Sequence, residues 1–435
     1  MKSACAPLLA ALLALPAQAK DSVIHAGTLI DGVNSTPRQQ VSILIHDDRI
    51  VAIEAGFVAP ANAETEVIDL STQTVMPGFI DCHVHISEKL PSQTNAVEDW
   101  LTHTNIDRAL DGAVFMRQML QQGFTSARDV GGSDETVSVR NAINAGKLSG
   151  PRLWVALEPL GPTGGHGDAH NGLDADLHHP GWDNGLVDTP EQGRLRVREH
   201  MRRGADLIKM MPSGGIASTG DDPHRQLMTN EEMSAVVTAA HVLGLKVAAH
   251  IYPDGAIANA VKAGVDSVEH GSFASAETFA LMKQHGTYLV PTLTVYDVFY
   301  AAARDHPELL PPGTAAKELA NDLLPKKNLP LAVRSGVKIA YGTDLGEGDH
   351  AMEFALLTAN GMSPMQAIFT ATRNAADLIG ASDRIGSVQV GRYADIVAVA
   401  GDPLKDTKLF GQVGFVMKGG VVYRFGGKPT VAGVN

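Results

Sequence analysis

The pattern of hydrophobic and polar residues changes twice along the chain and divides it into three parts. Residues 22–75 contain short runs in which apolar and polar residues alternate between turn residues, and this alternation returns in residues 394–423. A period of two predicts β-strands with one buried face. The central part instead alternates short apolar runs with segments of helical periodicity, which predicts β/α units around a parallel sheet.

Eight apolar runs in the central part predict eight barrel strands. They end at or next to His83, Asp129, Ala156, Lys209, His250, His270, Thr292 and Asp344. Helical segments between them are predicted over residues 113–122, 194–203, 231–243, 255–263, 276–285 and 326–335. We therefore predict an α/β chain: a (β/α)8 TIM barrel over residues 76–384, and a small β-sandwich domain formed by both chain ends, residues 20–75 and 385–435.

Residues 1–19 have the pattern of a secretory signal peptide. Lys2 precedes an apolar stretch over residues 6–16, and Ala17-Gln18-Ala19 matches a cleavage site before Lys20. The apolar stretch is too short to span a bilayer. We therefore expect a periplasmic or secreted protein.

The charge of the chain limits the partners that it can have. The formal net charge is −13, and like charges do not form blocks. A surface of this kind does not attract polyanions, so we expect neither nucleic acid nor an anionic membrane as a partner. The hydrophobic content of 44% is that of an ordinary globular protein.

Histidines and one aspartate mark the ends of several predicted strands. His83 and His85 lie two residues apart, so on a strand they project to the same face and can hold one metal ion together. Taken alone, such a pair more often consists of two ordinary histidines. His250, His270 and Asp344 end three further predicted strands, and the ends of barrel strands face one pocket. This combination predicts a metal site.

Lys209 ends another predicted strand of the same barrel. A charged ammonium group beside divalent cations would be repelled, and burial also favours the neutral amine. A neutral lysine can add carbon dioxide and become a carbamate, an anionic ligand that is able to bridge two metal ions. The alternative is a lysine that pairs with a carboxylate or binds a substrate anion, and spacing alone leaves both interpretations open.

These residues resemble the binuclear metal site of the amidohydrolase superfamily. The resemblance rests on His83, His85, Lys209, His250, His270 and Asp344, and on the flanking residues 77–81 and 342–344. Within the superfamily the chain is similar to the imidazolonepropionase-like subgroup of Xaa-Pro and aromatic-specific dipeptidases, which includes ochratoxin-hydrolysing amidohydrolases. Residues 164–168, 208–215 and 250–252 carry this closer similarity.

The resemblance implies a metal content and a role for each ligand. It implies two divalent metal ions, with zinc best suited to the imidazole-rich site. His83, His85 and Asp344 would hold the more buried ion, and His250 and His270 the more exposed one. Lys209, carboxylated by CO2, would bridge them, and Asp344 would also act in catalysis by moving a proton. The resemblance further implies a small-molecule or dipeptide substrate and a homo-oligomer, for which an octamer is the expected size.

Three further residues are candidates for substrate contacts. His166, in a glycine-flanked loop, could donate a hydrogen bond to the reacting carbonyl oxygen, or could be an ordinary surface histidine. Tyr252 lies two residues after His250 and so on the same face, which makes it a candidate for binding a substrate carboxylate. Arg128 is a rival for that anion, but a structural pairing is the interpretation that we favour for it.

The expected reaction is hydrolysis of an amide or peptide bond next to a C-terminal proline or a hydrophobic or aromatic residue. Ochratoxin A, which would yield ochratoxin alpha and phenylalanine, is one such substrate. Two alternatives remain at this point. The first is another activity of the superfamily, on lactones or cyclic amides. The second is a non-catalytic periplasmic binding protein.

Overall fold

The structure is a computed structural model that describes residues 21–321 and 324–430. The predicted signal peptide, residues 1–19, lies outside the described residues. The strands are β1 (Asp21–Leu29), β2 (Arg38–His46), β3 (Arg49–Ala55), β4 (Glu66–Pro77), β5 (Phe79–Val84), β6 (Phe124–Asp129), β7 (Arg152–Val155), β8 (Leu207–Met210), β9 (Lys246–Ile251), β10 (Ser267–His270), β11 (Tyr288–Val290), β12 (Lys338–Ile339), β13 (Ile396–Ala400), β14 (Val413–Lys418), β15 (Val421–Phe425) and β16 (Lys428–Pro429).

The helices lie mainly between the barrel strands. They are α1 (Ala96–Thr102), α2 (Asn105–Gln121), α3 (Asp134–Asn144), α4 (Pro190–Arg203), α5 (Asn230–Val242), α6 (Asp254–Ala263), α7 (Ala276–His285), α8 (Leu293–Asp305), α9 (Thr314–Asn321), α10 (Leu324–Ser335), α11 (Met352–Ala359), α12 (Pro364–Phe369) and α13 (Ala375–Ile379). Among the described residues, no helix is both long and apolar enough to cross a bilayer.

The two chain ends form one sheet. Its eight strands have the order β16-β15-β14-β13-β4-β1-β2-β3. The long strand β4 joins the two halves, since it pairs in parallel with β1 and antiparallel with β13. The sheet therefore combines residues from both predicted terminal segments, while the exact domain limits at residues 75 and 385 stay a prediction.

Eight parallel strands form the barrel. Strands β5, β6 and β7 make one parallel group, and β8 to β12 make another. Single parallel bridges between Leu160 and Met210 and between Val84 and Leu345 connect the groups on both sides. Strands β5, β6 and β8 are buried at every position, as expected for a parallel sheet that is covered on both faces. The predicted fold class is confirmed.

Several helical regions differ from the prediction, since α1, α3 and α11 to α13 also have no predicted counterpart. Helix α2 begins at Asn105 and not at residue 113, because the side chains of Thr104 and Asp107 form a capping box at its start. Its first turns carry exposed apolar residues such as Ile106 and Leu110, so the sequence shows no amphipathic pattern there. The pattern also failed to predict helices α8 and α9, which follow β11.

Arg128 holds three barrel strands together. It is buried in β6, and its Nε donates to the carbonyl oxygen of Cys82 in β5 at 2.5 Å. Its other two nitrogens donate to Oγ of Ser267 at 3.0 Å and to Oε1 of Glu269 at 2.9 Å, both in β10. The charge of Glu269 is thus paired inside the barrel, where an unpaired charge would be very costly.

Replacement of Arg128 is expected to destabilise the barrel strongly. In Arg128→Met, Glu269 would remain as a buried charge without its cation, which should lower the free energy of unfolding by about 3–5 kcal/mol. The measurement is chemical denaturation followed by circular dichroism. The matched control is Arg304→Met, which removes an exposed ion pair with Asp305 and should leave stability unchanged. Equal effects in the two variants would contradict the role of Arg128.

Candidate metal centre

The predicted ligands lie together at the carboxyl ends of the barrel strands. His83 is in β5, Lys209 is in β8, His250 is in β9 and His270 ends β10. These four residues are almost fully buried. The remaining two lie beyond strand ends: His85 comes one residue after β5, and Asp344 comes five residues after the end of β12. The order of strands around the barrel thus brings all six to one end.

The backbone is strained at this end of the barrel. His270, Thr292 and Asp344 have φ values of 66°, 50° and 62°, in the left-handed region that L-residues rarely adopt. Strain of this kind costs about 1–3 kcal/mol per residue and tends to be concentrated at functional sites. At His270 the left-handed backbone conformation ends the regular alternation of side chains along β10. Nε2 of His270 lies 3.9 Å from Oδ2 of Asp344, and the preceding Glu269 contacts Nδ1 of His83.

The first group of ligands is formed by His83, His85 and Asp344. Oδ1 of Asp344 lies 3.0 Å from Nε2 of His83 and 3.0 Å from Nε2 of His85. The opposite nitrogens are held by acceptors, because Nδ1 of His83 donates to Glu269 at 2.8 Å and Nδ1 of His85 donates to the carbonyl oxygen of Gly131 at 3.2 Å. A neutral ring then has its lone pair on Nε2. A lone pair and a carboxylate oxygen at 3.0 Å repel each other unless a cation or proton lies between them, so this set fits a metal ion.

The second group is formed by His250 and His270. Nδ1 of His270 is 2.7 Å from Oγ1 of Thr292, and its Nε2 is 3.9 Å from Oδ2 of Asp344. The two histidine rings lie edge to face, with 4.6 Å between their centroids. Nε2 of His250 is buried and has no hydrogen-bond partner. A buried polar atom without a partner is unfavourable, and a metal ion at this position would satisfy it.

Charges around the site favour an ionised aspartate and a neutral lysine. Burial alone would raise the pKa of Asp344, but positive charge and hydrogen bonds from His83 and His85 in their protonated form hold it well below its ordinary value, and a bound cation would take the place of these protons. Burial lowers the pKa of Lys209 to about 8. Within the described part of the chain, Nζ of Lys209 forms neither a hydrogen bond nor an ion pair. The alternative in which Lys209 pairs directly with a carboxylate is therefore not supported.

His166 and Tyr252 line the same pocket. The ring of His166 stacks on His250 with 4.3 Å between the centroids, and burial lowers the pKa of His166 to about 4. It is therefore not an ordinary surface histidine. Tyr252 is buried, and its ring stacks on His270 at 5.3 Å. Burial also raises the pKa of Tyr252, which keeps its hydroxyl group protonated.

Arg128 and Glu269 are buried residues that contact the candidate ligands or the strands that carry them. Since all three guanidinium nitrogens of Arg128 bind protein acceptors, its contacts favour the structural interpretation over a substrate contact. Glu269 was not predicted from the sequence, although it binds both Arg128 and His83. The available signal was a charged residue inside a short apolar strand, directly before a ligand histidine. A charge there requires a buried partner.

Comparisons with known proteins show the family to which this chain is related. The profile of the amidohydrolase family matches residues 74–424. The ochratoxinase of Aspergillus niger is 34% identical over 436 residues, which cover 94% of this chain and 87% of that protein. A Xaa-Pro dipeptidase with bound methionine has a TM-score of 0.88 and 34% identity, over 93% of this chain and 100% of the other. The crystal structure of A. niger ochratoxinase has a TM-score of 0.83 and 31% identity, over 94% and 97% of the two chains.

Glu269 is expected to control metal affinity through His83. In Glu269→Gln, the side chain keeps its size but loses the negative charge that orients the imidazole, so zinc affinity should fall by about 10- to 100-fold. The measurement is competition with a fluorescent zinc chelator. The matched control is Glu232→Gln, which changes a buried carboxylate that caps helix α5 and has no contact with the ligands. An unchanged zinc affinity in Glu269→Gln would refute this role.

Proposed function

The chain belongs to the amidohydrolase family and is a hydrolase that acts on amide bonds, and from this premise we propose that it cleaves the bond before a C-terminal proline or a hydrophobic or aromatic residue. The observation that carries this proposal is the set of imidazole Nε2 atoms directed at Asp344, beside a buried lysine with a lowered pKa. Membership of the family argues against the alternative of a non-catalytic binding protein.

Two zinc ions are the metals that we propose for this site. His83, His85 and Asp344 would hold one ion, His250 and His270 the other, and carboxylated Lys209 would bridge them. When bound, the ions would polarise the substrate carbonyl and lower the pKa of water, which supplies a nucleophile at neutral pH. Imidazole nitrogens and carboxylate oxygens are donors that zinc accepts, and cobalt and manganese are the alternatives that the same set could hold.

Asp344 is the residue that we propose for proton transfer. Its carboxylate lies 3.0 Å from Nε2 of both His83 and His85, and it would accept a proton from the attacking water molecule. The proton then passes to the amide nitrogen, which must be protonated before the C–N bond breaks and the amine leaves. His166, stacked on His250, lies where it can bind the substrate next to the reacting carbonyl.

The proposed specificity rests on the relatives and on Tyr252. Cleavage of a Xaa-Pro dipeptide and of ochratoxin A releases an amino acid with a free carboxylate in both cases. Tyr252, in contact with both His250 and His270, has a hydroxyl group that would bind this carboxylate. Its hydroxyl interacts with Tyr296, which in turn lies 2.8 Å from Oγ of Ser272.

We further propose a homo-oligomer, with an octamer as the expected size, that acts in the periplasm or outside the cell on a small molecule or dipeptide. The signal-like pattern of residues 1–19 supports the location. The net charge of −13 supports the absence of nucleic-acid and membrane partners.

Zinc-loaded protein is expected to hydrolyse Xaa-Pro and Xaa-Phe dipeptides, N-acyl-phenylalanines or ochratoxin A, with release of the C-terminal amino acid. Asp344→Asn should lower kcat by about 100-fold or more, since it removes both a ligand and the proton acceptor. Amino-acid release is measured by chromatography, with Glu232→Gln as the control. Undiminished hydrolysis by Asp344→Asn would disprove the mechanism. Cleavage of lactones or cyclic amides alone would disprove the specificity but not the metal centre.

Zinc uptake is expected to depend on carbon dioxide and on pH. Because the pKa of Lys209 is about 8, the neutral amine that reacts with CO2 becomes more abundant as the pH rises from 7 to 9. Uptake of zinc by the metal-free protein should therefore increase with added bicarbonate and with pH over this range. Lys209→Glu, which carries a permanent carboxylate, should lose the dependence on bicarbonate. Zinc content is measured by mass spectrometry, and equal uptake in bicarbonate-free buffer would contradict carboxylation.

A further inference from the structure

A buried group of polar residues outside the metal ligands contacts His166. It lies in the loop between β8 and α5 and on helix α9. Nζ of Lys317, on α9, donates to the carbonyl oxygens of Gly215 and Ser218 at 2.7 and 2.5 Å, and to Oδ1 of Asp221 at 3.1 Å. One ammonium group thus holds three positions of the loop to the helix.

Asp221 is the centre of this group. Its side chain is 1% exposed, and it accepts hydrogen bonds from the backbone N–H of Gly215 at 2.9 Å and from the hydroxyl of Ser218 at 2.6 Å. Lys317 supplies the opposite charge that a buried carboxylate requires. Its neighbours keep the pKa of Asp221 below the ordinary value although burial opposes this, so the carboxylate is ionised and can only accept.

Because the ionised Asp221 can only accept, it also fixes the direction of the hydrogen bond between Ser218 and His166. Ser218 has one hydroxyl hydrogen and donates it to Asp221, so its Oγ must accept from Nδ1 of His166, 2.7 Å away. Nε2 lies on the opposite edge of the ring. Within the described residues it forms no hydrogen bond. The protein therefore occupies one edge of His166 and leaves the other free.

Packing holds the plane of the ring as well. One face of His166 stacks on His250 at an angle of 29°. The backbone of Gly215 lies against the face of the ring at Nδ1, so closely that a Cβ atom at this position would be 2.0 Å from Nδ1 and 2.3 Å from both Cγ and Cε1. Only glycine fits there, and the ring cannot shift toward the loop.

We propose that Ser218, Asp221 and Lys317 are positioning residues that fix the ring of His166 with Nε2 directed at the bound substrate. This inference rests on the proposed function, since it assigns His166 a substrate contact. A ring free to rotate would contact the substrate in only some of its orientations. Misplacement of a binding group by about 1 Å can cost roughly 100-fold in rate. The group also connects the loop over residues 213–226 to helix α9.

Ser218→Ala in zinc-loaded protein tests this proposal. It removes one hydroxyl group, and kcat/KM for the best substrate of the wild type should fall by roughly 10-fold or more, with unchanged zinc content and Tm. Ser218→Thr keeps the hydroxyl and should restore most of the activity. The matched control is Thr163→Ala, which removes a similar hydroxyl–carboxylate bond, to Asp188, from the loop that contains His166. This control should keep full activity.

A double-mutant cycle separates positioning from a general structural effect. If Ser218 acts through His166, then Ser218→Ala should have no further effect in a His166→Ala background. Equal losses of activity in both backgrounds, or no loss in the single variant, would overturn the proposal.

Crystal structures give a readout that does not depend on activity. In Ser218→Ala, the ring of His166 is expected to rotate away from the stack on His250 or to adopt two orientations. An unchanged ring would overturn the positioning role. An inactive wild type with a ring that moves as expected would instead refute the proposed function alone.

Discussion

His83 and His85, two of the candidate ligands, depend on the atom that holds their Nδ1. Glu269 holds His83, and the carbonyl oxygen of Gly131 holds His85. In both rings the remaining lone pair is directed at Asp344, which is how three side chains from distant parts of the sequence can form one cation site. Glu269 is ionised inside the barrel because Arg128 pairs with it. The same buried ion pair therefore stabilises the barrel and orients a metal ligand.

That the candidate metal ligands lie close together could be predicted from the sequence, because barrel geometry converts chain order into proximity. His83 and His85 share a strand face, and strand ends such as His250 and His270 meet at one end of the barrel whatever their distance in sequence. Prediction of the eight strands was therefore sufficient to bring the ligands together. The chemistry of Lys209 needed the structure, because its burial and the lowered pKa that follows cannot be read from spacing.

The residues that sequence reasoning missed act across elements. Glu269 binds partners in β5 and β6, so its role depends on packing inside the barrel and not on any local pattern. Lys317 lies on α9, a helix that the hydrophobic pattern did not predict, and its acceptors lie about a hundred residues earlier. The start of α2 was missed for a different reason, since a capping box fixed it where the apolar residues are exposed.

The two sides of the pocket are under different constraints. The metal side consists of strand ends that the barrel fixes, and a change in any one ligand alters the whole site. The proposed substrate side consists of loops, where His166 is held by Ser218 and the loop over residues 213–226 is held by Lys317. Because these contacts join separate segments, the shape of this side can change only when the segments change together. Differences in substrate among relatives at about one-third identity are therefore expected in coupled changes of these loops, with the metal ligands unchanged.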